Sequence, residues 1–385
     1  MDFDFTDEQR MLKDSARKLM EREIVPFLAG FPENQPLPLE EIKNLLKKLI
    51  PLGYLGSTIP EEWGGAGLDY LTYGLLLEEA EPSIFGLVML QAGTARSVYL
   101  LGNEDQRRAF IPHLVSGEKV GCSAITEPNV GSDTANIQTR AVLDGDQYIL
   151  NGTKMWITNG SFADMAFVLA GADPSKGPKG LSRFIVDRDI SPYETRPLAI
   201  MEDNEQIPSV GELIFENCRI PKGNLLGGAG AGLKDTFRGF QAARCFVALN
   251  SVNIAQRAIE AAVRYAKERN QFGRPIGQFQ LIQAMIADMT SLTDAGRFLA
   301  YRGLAMVDKG VRCAKETSLA KFYATEAAVK VTSMAIQIHG AYGLSREYPV
   351  ERLFKQARVM TIPDGTTQIQ KLIVGREVTG LRAFV

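Results

Sequence analysis

Apolar residues along this chain recur at two spacings, and the changes between them divide it into three regions. Over residues 1 to 118 the spacing is helical. Between Asp7 and Ile24 the apolar side chains fall at Met11, Leu12, Ala16, Leu19 and Met20, the repeat that gives a helix one apolar face. Thr6 followed three residues later by Gln9 predicts a capping box, and Asp7 and Glu8 set carboxylates against the positive end of the helix dipole. Glu40–Ile50 and Tyr70–Glu81 predict further helices, and Pro60 to Gly67 reads as a loop by its glycines.

From about 119 to 228 the period shortens. Gln147–Leu150, the turn pair Asn151-Gly152 and Met155–Thr158 predict strand, turn, strand. Met165–Leu169, Arg183–Val186 and Glu212–Phe215 add short strands, and Asp144-Gly145 and Asn159-Gly160 are further hairpin-type turns. From about 229 the helical period returns. Gly239–Arg269, Phe279–Val307, Ala314–Gln337 and Thr367–Glu377 predict four helices in an antiparallel bundle. The expected fold is α+β: an N-terminal helical domain (1–118), a small central β domain (119–228) and a C-terminal four-helix bundle (229–385).

Bulk properties narrow the function classes. At 385 residues the chain is too long for one ordinary core. Its 43 Lys and Arg nearly cancel its 45 Asp and Glu, for a net charge of −2, which favours neither nucleic acid nor an anionic membrane surface. The acidic start, Asp2 to Glu8, lacks the features of a signal or transit peptide. No apolar run is expected to reach the ~20 residues that cross a bilayer. Cys122, Cys218, Cys245 and Cys313 are far apart and read as reduced thiols of a cytoplasmic protein. His113 and His339 are the only histidines and neither has a second ligand at useful spacing, so no metal site is expected.

One stretch carries candidate chemistry. Pro363-Asp364-Gly365-Thr366-Thr367-Gln368-Ile369-Gln370 sets a carboxylate on a turn beside groups able to hydrogen-bond a polar cofactor. Taken alone, Asp-Gly is a common turn signal and the structural reading is favoured. Four other stretches change that balance: Thr126-Glu127-Pro128-Asn129-Val130-Gly131-Ser132-Asp133, Trp156-Ile157-Thr158-Asn159-Gly160, Arg269-Asn270-Gln271-Phe272-Gly273 and Gln337-Ile338-His339-Gly340-Ala341-Tyr342-Gly343. In this order, closed by the Asp364 stretch, they resemble the acyl-CoA dehydrogenase family, with its TEPxxGSD, RxxFG and EGTxQIQ signatures. Each motif alone is weak; five in order across residues 126 to 370 are specific.

The resemblance implies two helical domains around a β domain, FAD as cofactor, an acyl-CoA substrate, an electron-transfer flavoprotein as acceptor and a homotetramer. It implies that Ile125, Thr126, Trp156 and Thr158 line the flavin ring and that Ser132 lies near both the flavin pyrophosphate and the acyl-CoA arm. Arg269, Phe272, Gln280, Gln337 and Gly340 match positions that hold the FAD of a neighbouring subunit; Thr366 and Gln368 match further flavin-binding positions. Ser132, Gln241, Arg244 and Gly365 form the implied substrate-binding set. Each has a plainer reading: Trp156 as a core aromatic, Ser132 as a turn serine, Arg269 as a helix-end cation, Arg244 as a solvated helix charge. Gln241 stands where the family often has an acid, which weakens the expected contact to pantetheine.

The family's reaction removes the α-proton of the thioester with a carboxylate while the β-hydrogen leaves as hydride. The thioester oxygen is held by the backbone N–H of the base residue and a ribityl hydroxyl, an oxyanion-type arrangement. The usual base is the glutamate of EGT; here the matching residue is Asp364. Ala243 occupies the position of the family's relocated base, so Asp364 is the one well-placed candidate. An ordinary aspartate titrates near ~3.9, and burial beside flavin and thioester should raise it. Its side chain is one methylene shorter, about 1.5 Å, and a bulkier α-carbon would fill the gap. Aspartate-bearing relatives take ring substrates, so the leading expectation is cyclohexane-1-carboxyl-CoA going to cyclohex-1-ene-1-carboxyl-CoA. The alternatives are a short or branched-chain acyl-CoA dehydrogenase, a nitroalkane oxidase-type flavoenzyme, and a non-catalytic acyl-CoA or flavin-binding protein in which Asp364 is only a helix N-cap.

Overall fold

The computed structural model describes residues 4–201, 206–208 and 210–383. The chain divides into two compact units, Met1–Leu76, Ser83–Ile200 and Asn204–Gly239 in the first, and Leu77–Pro82, Met201–Asp203 and Phe240–Val385 in the second.

The first unit holds the helices α1 (Asp7–Leu19), α2 (Val25–Ala29), α3 (Leu39–Leu49), α5 (Phe85–Leu101) and α6 (Glu104–Val115) and all but the last three residues of α4 (Tyr70–Glu79). The expected capping box is present: the Thr6 hydroxyl accepts from the Gln9 backbone N–H, and the Gln9 side chain accepts from Thr6 N–H, both at 3.2 Å. A five-residue π-type turn, Met20–Ile24, follows α1. The helix Pro82–Leu101, which contains α5, is long and apolar enough to cross a membrane, contrary to the expectation that no run would be. Its apolar residues serve the core: Phe85, Leu87, Val88, Ala92, Ala95 and Val98 are buried.

The strands of this unit are β1 (Gly121–Ala124), β2 (Arg140–Asp144), β3 (Gln147–Ile157), β4 (Met165–Gly171), β5 (Leu181–Asp187), β6 (Glu194–Pro197), β7 (Gly211–Pro221) and β8 (Leu225–Leu226). They form one mixed sheet in the order β6-β7-β3-β2-β4-β5-β8, with β1 parallel to β4. Every residue of β4 and β5 is buried, as expected for strands covered on both faces. Ala166, Val168 and Ala170 join a core with Leu150, Phe184, Leu213 and Phe215. Met165 and Phe167 join a second, with Phe110, Ile111 and Leu114 of α6.

The sheet corrects one expectation. Residues 147–157 are a single strand, not a hairpin. The hairpin turn is at Asp144-Gly145, which lets β2 pair with β3. Gly152 (φ 145) serves close approach instead: a Cβ there would stand 2.6 Å from Thr139 Oγ1, and the register with β7 shifts at this point.

The second unit holds most of α7 (Gly232–Glu268), the hairpin β9 (Asn270–Gln271) and β10 (Arg274–Pro275), then α8 (Gln280–Asp308), α9 (Ala314–His339), α10 (Val350–Met360) and α11 (Thr367–Thr379). Helix α10 adds a fifth to the four expected. Its buried Val350, Leu353, Ala357 and Met360 recur at helical spacing after Pro349. The short segment Leu77–Pro82 belongs to this unit through polar contacts. Glu78 accepts from Arg297 Nε at 2.8 Å, Glu81 from Arg257 Nη1 at 2.9 Å, and the Ala80 carbonyl from Asn253 Nδ2 at 2.6 Å.

Candidate active site

The turn bearing Asp364 joins α10 to α11 and is pinned from two sides. Gln370, buried on α11, donates to the carbonyls of Asp364 (2.9 Å) and Gly365 (3.1 Å). Lys321 of α9, fully buried, donates to the carbonyls of Thr361 (2.9 Å) and Gly365 (3.1 Å). Asp364 has φ 55, a left-handed conformation that aspartate tolerates better than most residues. The N-cap of α11 is Thr366, whose hydroxyl accepts from Ile369 N–H. This corrects the helix-cap alternative for Asp364, which sits outside the helix.

The residue is half-buried, but its carboxylate oxygen Oδ2 is buried and has no hydrogen-bond partner. Burial pushes the carboxyl above the usual aspartate range, and Lys321 and Arg244 pull it back. Arg244 of α7 is buried, not a solvated charge. Its Nη1 donates weakly to Ser318 Oγ at 3.4 Å and its Nε is unpartnered. Burial lowers its proton affinity and the Asp364 charge raises it. Gln241, one turn earlier, accepts from the Cys313 thiol at 3.3 Å. An unpartnered buried carboxylate oxygen and an unpartnered buried guanidinium N–H are costly unless a ligand completes them. Thr366 is half-buried and Gln368 exposed.

The other sequence-predicted residues of this unit gather around the β9–β10 hairpin and the end of α9. Arg269 lies exposed with its guanidinium 5.8 Å from the Tyr342 ring centre. Phe272 is 93% exposed and meets Phe279 edge to face. Gln280 opens α8, and Gln337 lies exposed in the last turn of α9, just before Gly340.

In the first unit, β3 carries Trp156 and leads into Thr158. Trp156 has φ 62 at a register irregularity and is 52% exposed, so the core-aromatic reading is wrong. Sequence reasoning gave no role to Lys154 or to the carboxylate of Glu127, which together fix this region. Lys154 Nζ donates to Glu127 Oε1 (2.8 Å) and to the Ile125 carbonyl (2.9 Å), and Met155 N–H donates to the Thr126 carbonyl (2.9 Å). Glu127 also accepts from the backbone N–H groups of Gln138 and Thr139 and from the Thr139 hydroxyl. Burial would raise the Glu127 carboxyl, but Lys154 and these donors outweigh it and hold it low. Ser132 is exposed in the loop that follows. Thr158 is half-buried with its methyl 3.1 Å from where a Cβ on Gly86 would stand.

Comparison with known proteins decides the family. The models described as acyl-CoA dehydrogenase N-terminal, middle and C-terminal domains match residues 6–118, 122–218 and 230–379. The chain belongs to the acyl-CoA dehydrogenase family. An acyl-CoA dehydrogenase of Bacillus subtilis (strain 168) is 37% identical over 384 residues, 97% of this chain and 99% of that protein. The caffeyl-CoA reductase-Etf complex subunit CarC of Acetobacterium woodii is 35% identical, covering 96% of this chain and 98% of its own. The solved butyryl-CoA dehydrogenase from Megasphaera elsdenii superimposes with a TM-score of 0.92 at 33% identity, over 98% of this chain and 100% of that one. The architecture is therefore the three-domain acyl-CoA dehydrogenase fold, helical, β, helical.

Acyl-CoA dehydrogenases depend on FAD, and the residues present fit it. Trp156 offers a half-exposed aromatic face on a strand anchored to the Ile125–Glu127 loop. The bare backbone of Gly86 keeps the space beside Thr158 open. Exposed Arg269 and the open space around Gly340 suit a phosphate and a close backbone approach.

Proposed function

We propose that this acyl-CoA dehydrogenase uses Asp364 to take the α-proton of an alicyclic acyl-CoA thioester, cyclohexane-1-carboxyl-CoA being the leading substrate. The observation that carries the base assignment is the buried Asp364 Oδ2, without a partner on a turn held by Lys321 and Gln370. A carboxylate oxygen so placed breaks no hydrogen bond by accepting a proton, and burial strengthens it as a base. FAD, when bound, supplies the acceptor for the β-hydride. Ile125, Thr126, Ser132, Trp156, Thr158, Thr366 and Gln368 would hold it, with Arg269, Phe272, Gln280, Gln337 and Gly340 serving a neighbouring subunit. The high exposure of Phe272 and Leu281 supports a homotetramer that covers them. Ser132, Gln241, Arg244 and Gly365 bind the acyl-CoA, and the acceptor for the electrons is an electron-transfer flavoprotein. Four free, buried cysteines support the cytoplasmic reading.

Two results test this reading. The kcat/KM for cyclohexanecarboxyl-CoA is expected to exceed that for butyryl- and octanoyl-CoA by about tenfold or more, the scale on which a misfit in reach is felt. A preference for either straight chain removes the alicyclic assignment. The pH profile of kcat/KM is expected to show an acid limb above the ~3.9 of ordinary aspartate, because activity needs ionised Asp364 and burial raises its carboxyl. An acid limb at or below that value contradicts a buried base.

A further inference from the structure

Beneath the Asp364 turn lies an ammonium to which the reaction described above gives no part. Lys321 has 0% exposure. Its two acceptors, the carbonyls of Thr361 and Gly365, bracket Pro363 and Asp364 in sequence. Its neighbours along the buried stripe of α9, Thr317, Ala324 and Ala328, are small, so no apolar packing demands a long side chain here. A stitch alone would not need a charge, since the neutral amide of Gln370 already ties the Asp364 and Gly365 carbonyls. What Lys321 adds is a positive charge next to a carboxylate removed from water. The groups facing it are Asp364, Glu326 and Arg244: burial pulls the ammonium down to about 8, the two carboxylates oppose this, and Arg244 adds to it. Seen from Asp364, burial raises the carboxyl, and Lys321 is the larger of the two charges pulling it back.

We propose that Lys321 is a positioning residue for catalysis: its buried ammonium fixes the Thr361–Gly365 turn and keeps the Asp364 carboxylate ionised and in place before substrate arrives. This rests on the reading of Asp364 as base. Arg244, the other cation, is committed in that reading to the acyl-CoA, which leaves Lys321 as the charge that is constant through turnover.

The variant Lys321→Met keeps an unbranched chain one atom shorter and removes the charge. In the holoenzyme its acid limb in kcat/KM moves to higher pH by about one unit or more. At neutral pH kcat drops by about tenfold or more as the turn loosens, while FAD content is retained. The protonated-carboxyl infrared band of Asp364, identified by its loss in Asp364→Asn, titrates with the same upward shift. Lys321→Gln, which keeps a donor without the charge, moves both readings in the same direction. Glu326→Gln leaves the lysine in place and removes an anion facing it, while its amide oxygen still accepts from the Thr367 hydroxyl that Glu326 now binds at 2.7 Å. Lys321 then releases its proton sooner, and the alkaline limb moves to lower pH. An unmoved acid limb and infrared titration in the lysine variants overturns the proposal. Should neither of those variants fold, an unmoved alkaline limb in Glu326→Gln overturns it. Persisting activity in Asp364→Asn instead overturns the base assignment, so the two failures are distinct.

Discussion

Replacing Asp364 by asparagine is expected to lower kcat for acyl-CoA dehydrogenation by about a thousandfold or more, the scale of a lost general base. Asparagine is nearly the same size and tolerates the same left-handed backbone, so the φ of 55 at this position is no obstacle to folding. The hydrogen bonds that shape the turn run to the carbonyls of Thr361, Asp364 and Gly365, not to the side chain. FAD content, acyl-CoA affinity and thermal midpoint are therefore expected to hold. Stopped-flow reduction of the flavin by substrate is the direct measurement. A variant that still reduces its flavin within tenfold of the parent rate would falsify the assignment of Asp364 as base.

The largest expected effect on stability comes from Glu127→Ala. Lys154 is fully buried and its side chain has two acceptors, Glu127 and the Ile125 carbonyl. Removing the carboxylate strips charge compensation from a desolvated ammonium and also leaves Thr139 and the Gln138 and Thr139 N–H groups without their acceptor. Breaking one side of such a pair costs about 3–5 kcal/mol. Chemical denaturation of the two proteins measures it, and a difference below about 1 kcal/mol would show that water or another group replaces the carboxylate. Because Glu127 is held low in the folded protein, its contribution is present above the ordinary glutamate value of about 4.3 and is lost as pH falls through the folded one. The variant should thus lose less stability than the parent on acidification. FAD retention is expected to weaken too, since Ile125 and Thr126 are fixed through this network.

Much of the fold was legible because local signals agreed with tertiary ones. The Thr6–Gln9 box formed as spelled, and α8 and α9 begin or end within two residues of their apolar patterns. The strand register was less legible. Asn151-Gly152 has the composition of a hairpin turn, but its glycine answers to Thr139, just before the neighbouring strand β2, and no local signal distinguishes those uses. In the candidate site, Asp364 was found through its motif, whereas its surroundings were not. Lys321 carried a readable clue, a lysine in the same stripe as Thr317, Ala324 and Ala328. A charge in a buried register is either an error of phase or a sign of function. Lys154 and Glu127 were harder, because the acid lies in a motif read for its neighbours Ile125, Thr126 and Ser132, and the lysine in a strand that has the composition of a turn. Only the pairing of β3 with the loop after β1 reveals that they compensate each other.

The segment Leu77–Pro82 gives the chain's connectivity a consequence for its synthesis. These residues leave the ribosome with the N-terminal helices, yet Arg257, Asn253 and Arg297, which bind them, lie some hundred and seventy to two hundred and twenty residues downstream. Until α7 and α8 emerge, the carboxylates of Glu78 and Glu81 lack these guanidinium partners. The C-terminal bundle in turn cannot reach its final charge pairing from its own sequence. A fragment cut at Phe240 therefore omits a piece of its own interior.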